Sequence, residues 1–292
     1  MSFRYLDIES PCKCVYAGGY IVITLQDRTL KIYLGDVSSI VFSTDQVMVS
    51  GRLMAEIAQR KIPVVFCNDK HQPAAESLPL HGAHNNAVRV RQQIDWSAVS
   101  KKQLWKKIIQ DKISLQAEVL DVCSRDERAA VLRTYAREVK SGDSTNREGA
   151  AARCYFPSIF GEGFTRDLAC VENSALDYGY AILCSQASRE IVAQGYLTQL
   201  GIFHHGPENH WNLACDFMEP FRPFVDYVVL SSGMTQFDTS MKRYLCAMMT
   251  KEVGYKDGIF KMSSVLKYYI QDCFKVLERT LPAEEVEIYT LL

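Results

Sequence analysis

Residues 20–34, YIVITLQDRTLKIYL, set β-branched and aromatic side chains on both sides of a short Gln26-Asp27-Arg28 break. That composition predicts two strands, Tyr20 to Leu25 and Thr29 to Leu34, joined as a hairpin. Working outward, Ser38 to Phe42 (SSIVF) reads as a third strand and Gln46 to Val49 as a weaker fourth. In Gly51 to Arg60 (GRLMAEIAQR), Leu53, Ile57 and the Met54–Ala58 pair form an apolar stripe at helical spacing. Ile62 to Cys67 (IPVVFC) returns to strand, and Gly18-Gly19, Gly35-Asp36 and Asn68-Asp69 supply turns.

Between Asp69 and Asn86 the periodicity stops. The stretch DKHQPAAESLPLHGAHNN holds His71, His81 and His84 with few large apolar residues, and reads as a linker rather than as a metal site. From about Ala87 helical periodicity dominates: Trp105, Ile108, Ile109 and Ile113 recur at three and four residues, as do Ala129, Leu132, Tyr135 and Ala136. Further helices are expected at Ser174–Ala193, Asn212–Leu230, Thr239–Thr250 and Ser264–Thr280. The expected fold class is α+β: a small β-rich N-terminal domain (1–70), a linker (71–86) and a larger all-α catalytic domain (87–292).

The 292 residues include 33 basic and 34 acidic side chains, with 48% hydrophobic and 23% charged. These proportions belong to a folded globular protein and exclude a disordered or low-complexity chain. The start MSFRYLDIES lacks the basic-then-apolar pattern of a signal peptide, and no window approaches the roughly 18 apolar residues that span a bilayer. A cytoplasmic protein with no membrane partner is expected. Ten cysteines are scattered without a C-x-x-C pair. They read as small buried hydrophobes in a reducing compartment. A zinc site on Cys12 and Cys14 has the wrong spacing, and a Cys67/His71 hydrolase lacks an oxyanion-hole signature.

The net charge of −1 taken alone speaks against nucleic acid, but the charges are unevenly placed. From Arg89 to Lys112 seven basic residues (Arg89, Arg91, Lys101, Lys102, Lys106, Lys107, Lys112) face two acidic ones, with Trp96 and Trp105 interleaved. Such a stretch holds phosphates even on a neutral protein; a solvated basic helix face is the plainer reading.

Chemistry-bearing residues interrupt the helical patterns in three places. In Asn146–Phe156 (NREGAAARCYF), Glu148 is followed by small residues that admit a close neighbour. In Gly201–Pro207 (GIFHHGP), His204 and His205 follow an apolar run at a turn, where histidine is a natural ligand. In Asn212–Pro223 (NLACDFMEPFRP), Asp216 and Glu219 are three apart and so share a helix face, which calls for a positive partner, either Arg222 or a metal. Singly, each reads as ordinary packing or a surface salt bridge. Together Glu148, His204 and Glu219 offer two oxygen ligands and one imidazole, a set that suits Mg²⁺ or Mn²⁺ with open positions for phosphate oxygens.

These motifs, above all NLACDFMEPFRPFVD, resemble those of the CRISPR-associated adaptation integrase, the first of the Cas proteins, closest to its type II branch. The resemblance spans the whole chain. It implies a metal-dependent DNA endonuclease/integrase of antiviral defence that inserts prespacer DNA into the CRISPR array, the prespacer 3′-hydroxyl attacking a repeat phosphodiester. It implies a homodimer, two of which flank a dimer of a small Cas partner in a hetero-hexamer on double-stranded DNA. The family's metal ligands match Glu148, His204 and Glu219, with His205 an alternative to His204. Asp216 and Arg222 are supporting residues. Arg147 and Arg153 join the basic stretch as DNA contacts. Cys12-Lys13-Cys14 and the segment Asp69–Asn86 depart from the family pattern. A nuclease of branched or single-stranded DNA without integration, or a non-catalytic DNA-binding scaffold, are the competing readings.

Overall fold

The computed structural model describes residues 4–69, 73–77, 86–233 and 235–291. The N-terminal part contains β1 (Arg4–Ile8), β2 (Cys12–Ala17), β3 (Tyr20–Thr24), β4 (Thr29–Tyr33), β5 (Val37–Phe42), β6 (Val47–Val49), α1 (Gly51–Gln59), β7 (Val64–Cys67) and β8 (Pro73–Ser77). The expected hairpin forms as β3–β4, with Tyr20 opposite Tyr33 and Thr24 opposite Thr29. Two four-stranded sheets result, ordered β4-β3-β2-β6 and β1-β5-β7-β8.

β5 explains how the two halves of the chain meet. All six of its residues are buried, and it pairs in parallel with both β1 and β7. Alternate side chains point to opposite faces of a strand. Ile40 and Phe42, with Val64 of β7, enter a core with Ile21, Ile23, Leu53 and Ile57. Val41, with Val65 and Cys67 of β7, enters the core of the helical part. A strand buried on both faces reads as a continuous apolar run, as Ile40-Val41-Phe42 does after two small buried serines.

β1, β2 and β8 carry no strong alternating pattern and escape the sequence reading. β8 lies inside the segment read as a linker, where it pairs antiparallel with β7, Val65 opposite Glu76. His71, His81 and His84 lie outside the described residues.

The helical part comprises α2 (Asn86–Ile94), α3 (Ala98–Val122), α4 (Asp126–Glu138), α5 (Arg147–Phe160), α6 (Val171–Ala193), α7 (Asn212–Met218), α8 (Arg222–Ser231), α9 (Thr239–Cys246), a hairpin of β9 (Glu252–Tyr255) and β10 (Gly258–Lys261), and α10 (Met262–Leu277). The hairpin is the exception to the all-helical expectation. α3 is the axis: Leu104, Ile108, Ile109, Ile113, Ala117 and Leu120 are fully buried, and α4, α5, α8 and α10 pack on it. α6 and α8 come close because residue 179 is glycine; a Cβ there would lie 2.5 Å from Val225 Cγ1.

The single helix expected over Asn212–Leu230 is divided. α7 stops at Met218, Glu219–Phe221 form one 3₁₀ turn, and α8 begins at Arg222. Pro220 and Pro223 lack the N–H groups that would continue the ladder, so the helix re-forms around them. The break turns Glu219 inward.

A candidate metal and phosphodiester site

Glu148 stands in the first turn of α5. Asn146 caps that helix from a left-handed conformation (φ 50°), its Oδ1 accepting from Gly149 N at 3.1 Å. Asp143 accepts from Arg147 N at 2.8 Å and from Glu148 N at 3.1 Å. Free N–H groups at a helix start favour such acceptors. A Cβ at Gly149 would meet Asn146 Oδ1 at 2.7 Å, so a side chain there would have to displace the cap. The backbone carrying Glu148 is thus fixed by Asp143 and Asn146, neither of which the sequence reading singled out.

His204 lies in the loop between α6 and α7. Asp216, fully buried, gathers that loop: its Oδ2 accepts from Ile202 N at 2.6 Å and Phe203 N at 3.1 Å, and its Oδ1 from His204 N at 3.0 Å and His204 Nδ1 at 2.7 Å. A carboxylate only accepts, so the Nδ1 proton points to Asp216 and Nε2 faces away. Asn212 clamps the same loop through Gln199 O (3.1 Å) and Gly206 O and N (3.0 and 3.2 Å). From α2, Gln93 donates to Leu197 O and Leu200 O and accepts from Leu197 N. The hydrogen bond to Asp216 raises the His204 pKa above the ordinary histidine value against the opposing effect of burial, and Glu219 adds to the rise.

Glu219 is buried. Arg222 Nε donates to its Oε1 at 2.9 Å, and Arg222 itself lies over the Tyr180 ring, 4.6 Å from the centroid. Burial pushes the Glu219 carboxyl up, but Arg222 and Lys112 outweigh it and hold the group well below the usual carboxylate range. Beneath it Tyr180 OH donates to buried Asp226, whose carboxyl burial pushes up to about 6.

Lys112, counted with the basic stretch in sequence, is the residue that joins these parts. It is buried on α3, and its Nζ donates to Glu148 Oε1 and Glu219 Oε2, each at 2.5 Å. Burial lowers its pKa, but Glu219 and Glu148 prevail and raise it above the ordinary lysine value. Two carboxylates from different helices therefore converge on one cation. Among the described residues no three His, Cys, Asp or Glu side chains are gathered as a ready metal cluster. An ammonium takes the point toward which Glu148 and Glu219 aim. The donor set of two carboxylates with a tautomer-fixed imidazole beside them nonetheless fits a hard divalent ion. The side chains of Glu148 (29% exposed) and His204 (38%) open this point to solvent, whereas Glu219 (5%) forms its floor.

His205 does not share this surface. It is exposed and lines a separate cleft with Lys101, Gly206, Pro207 and His210. The basic stretch is also less uniform than its sequence suggests. Arg89 pairs with Glu278, Lys107 with Asp111 at 2.6 Å, and Arg147 with Glu138 at 2.8 Å. Trp96 and Trp105 are buried and offer no interleaved aromatic surface; Trp105 stacks on Phe203 at 4.1 Å and so supports the His204 loop. Arg91, Lys102 and Arg153 are exposed, Lys101 and Lys106 half-buried. Arg153 lines a surface cleft with Arg125 and Arg128, two arginines the sequence reading passed over.

The cysteines are free thiols, and burial pushes that of Cys67 up to about 11, which removes it as a nucleophile. Cys12 and Cys14 lie 3.7 Å apart on one strand and belong to no metal cluster among the described residues. No helix of the described residues is long and apolar enough to cross a membrane.

Comparison with known proteins bears on the family and the fold. The chain is 35% identical over 230 residues to the CRISPR-associated endonuclease Cas1 of Neisseria meningitidis serogroup C (strain 8013), covering 79% of this chain and 76% of that protein. It is 26% identical over 298 residues to a CRISPR-associated endonuclease Cas1 of Francisella tularensis subsp. novicida (strain U112), covering 90% and 89%. Its fold matches that of a casposase bound to integration product with a TM-score of 0.78 at 18% identity, covering 98% and 94% of the two chains. It also matches a chain of a Cas6-RT-Cas1–Cas2 complex with a TM-score of 0.75 at 17% identity, covering all of this chain and 36% of the other. The model of the family described as CRISPR associated protein Cas1 matches residues 9–241, and the chain belongs to that family.

Proposed function

We propose that the chain is a metal-dependent DNA endonuclease and integrase of CRISPR adaptation. The observation that carries this reading is the convergence of Glu148 and Glu219 on one buried point beside a His204 ring whose tautomer Asp216 fixes. Glu148, Glu219 and His204 Nε2 would hold Mg²⁺ or Mn²⁺, which supplies charge neutralisation and polarisation at a phosphodiester. The remaining roles belong to the chain. Asp216 holds the proton of the neutral ring on Nδ1 and turns Nε2 outward. Arg222 holds Glu219 ionised at the floor. Arg91, Lys102, Arg125, Arg128 and Arg153, exposed around the helical part, hold DNA phosphates without reading bases.

The reaction is transesterification. The 3′-hydroxyl of the incoming DNA forms a bond to a phosphorus of the target strand, the bond from that phosphorus to its former 3′-oxygen breaks, the attacking hydroxyl gives its proton to solvent, and the released 3′-oxygen takes one up to become a free hydroxyl. One phosphodiester replaces another, so no external energy source is needed; positioning and charge stabilisation supply the acceleration. A homodimer, assembled as pairs around a dimer of a small Cas partner, presents the ends of a double-stranded prespacer to the CRISPR repeat. The names of the matched complexes, which include integration product and a Cas1–Cas2 assembly, support that placement.

The test is a strand-joining assay with a free-3′-hydroxyl duplex and a repeat-containing plasmid in Mg²⁺ or Mn²⁺. Joining by the wild-type chain with its partner, lost in Glu219→Gln and His204→Ala, is expected. Cleavage of branched or single-stranded DNA with no joining at all would replace integration by simple nuclease action.

A further inference from the structure

Lys112 has more charge around it than a structural salt bridge requires. Glu219 already has a guanidinium at 2.9 Å, and the Glu148 side chain is partly open to solvent. Yet the ammonium lies 2.5 Å from an oxygen of each, and these are the two carboxylates proposed to hold the metal. We propose that Lys112 is a built-in exchangeable cation: it holds Glu148 and Glu219 together in the metal-free protein, and the divalent ion binds by displacing it. This inference rests on the metal reading above and adds a competitor to it.

Three physical points support the exchange. Two carboxylates that face each other in a buried site repel and would splay, or take up a proton, without a cation between them. An ammonium on a four-carbon stem is a compact charge that moves by rotation about its own bonds, leaving the helix in place. Glu148, one of the two carboxylates that hold it, is partly open to solvent. The exchange also changes the charge of the site. With the ammonium seated, Lys112 and Arg222 match Glu148 and Glu219 in number, and Asp216 contributes a further carboxylate beside His204. With a divalent ion seated and the ammonium moved to the opening, the same surface carries a positive excess, which is the complement of a phosphodiester. The site would thus attract a phosphodiester more strongly with the divalent ion seated than without it.

The experiment is Mn²⁺ titration calorimetry on the full-length wild type, Lys112→Met and Glu219→Gln. Removing the competitor is expected to tighten Mn²⁺ binding by about tenfold or more, within the range commanded by groups that touch metal ligands. The same variant is expected to melt at lower temperature without metal and to gain more from Mn²⁺ than wild type does. A purely structural lysine would lower the melting temperature but would not tighten the metal. Equal or weaker Mn²⁺ binding by Lys112→Met, while wild type binds and Glu219→Gln does not, overturns the exchange and leaves the metal site standing. Absence of Mn²⁺ binding by both wild type and Lys112→Met overturns the metal reading itself. Should Lys112→Met fail to fold, acetylation of the wild type by an N-hydroxysuccinimide ester decides. Labelling of Lys112 is expected to rise severalfold with Mn²⁺ relative to exposed Lys102, and unchanged labelling at saturating Mn²⁺ overturns the proposal.

Discussion

Asp216 and His204 are bound to one another twice: the same Oδ1 accepts from the His204 backbone N–H at 3.0 Å and from its Nδ1 at 2.7 Å. One buried carboxylate therefore sets both the path of the loop and the tautomer of the ring. Asp216→Asn keeps the shape but presents an NH₂ group to donors. It is expected to lower stability by about 2–4 kcal/mol, the cost of leaving charged-acceptor hydrogen bonds unmade, and to weaken Mn²⁺ binding by about 10–100-fold. Thermal melts and calorimetry check the two effects; unchanged metal affinity would show that the ring's orientation is irrelevant to the metal.

Gly201 is chemically inert and still essential to this loop. A Cβ there would lie 2.3 Å from His204 O and 2.8 Å from Asp216 Oδ2. Gly201→Ala is expected to displace His204, with loss of joining activity at least tenfold and a lower melting temperature. A wild-type melt and wild-type activity in this variant would mean that the loop has room the geometry denies.

Glu219→Ala is expected to lose activity and stability together. Alanine leaves Lys112 with Glu148 alone and removes the partner of Arg222, and breaking a buried ion pair costs about 3–5 kcal/mol. Glu219→Gln keeps an acceptor for both cations and is expected to lose activity at a smaller cost in stability. Urea denaturation of the two variants should rank alanine below glutamine.

Glu76 of β8 accepts from Trp211 Nε1 at 2.8 Å, which ties the last strand of the second sheet to the residue preceding α7. Burial pushes its carboxyl up to about 7, against Ser185, Trp211 and Ser188, which lower it. A folded-state pKa raised above the unfolded value contributes stability at low pH that is lost as pH rises through the folded value. The wild type is therefore expected to lose melting temperature between about pH 4.5 and 7 relative to Glu76→Gln, which cannot titrate. Parallel curves for the two proteins across that range would remove Glu76 as the cause.

DNA affinity is expected to fall steeply with salt, because contacts to phosphates release counter-ions. Each exposed arginine at the cleft of Arg125, Arg128 and Arg153 should reduce the slope of log affinity against log salt by about one when replaced by alanine, with similar loss on unrelated sequences. Arg89 and Arg147, each in an ion pair, should matter less. A flat salt response in a filter-binding or anisotropy titration would exclude phosphate contacts as the source of affinity.

The sequence by itself determined what depends on local pattern. Runs of β-branched and aromatic residues marked β3, β4, β5 and β7, the 3.6-residue period marked α3, α4, α6 and α10, and short motifs in order marked Glu148, His204, Asp216, Glu219 and Arg222. Tertiary structure decided what depends on which face meets which. Position 112 looked like one more positive charge in a solvated stretch, and only the packing of α3 against α5 and the Glu219–Phe221 turn sends its ammonium between two carboxylates. His204 and His205 are indistinguishable as neighbours in a chain; the buried Asp216 carboxylate separates them by reaching one ring alone. Trp96 and Trp105 looked available for stacking and are core residues. Pattern reports where a side chain sits along its own element, whereas burial and charge pairing arise between elements far apart in sequence, and there the cation at the centre of this site was decided.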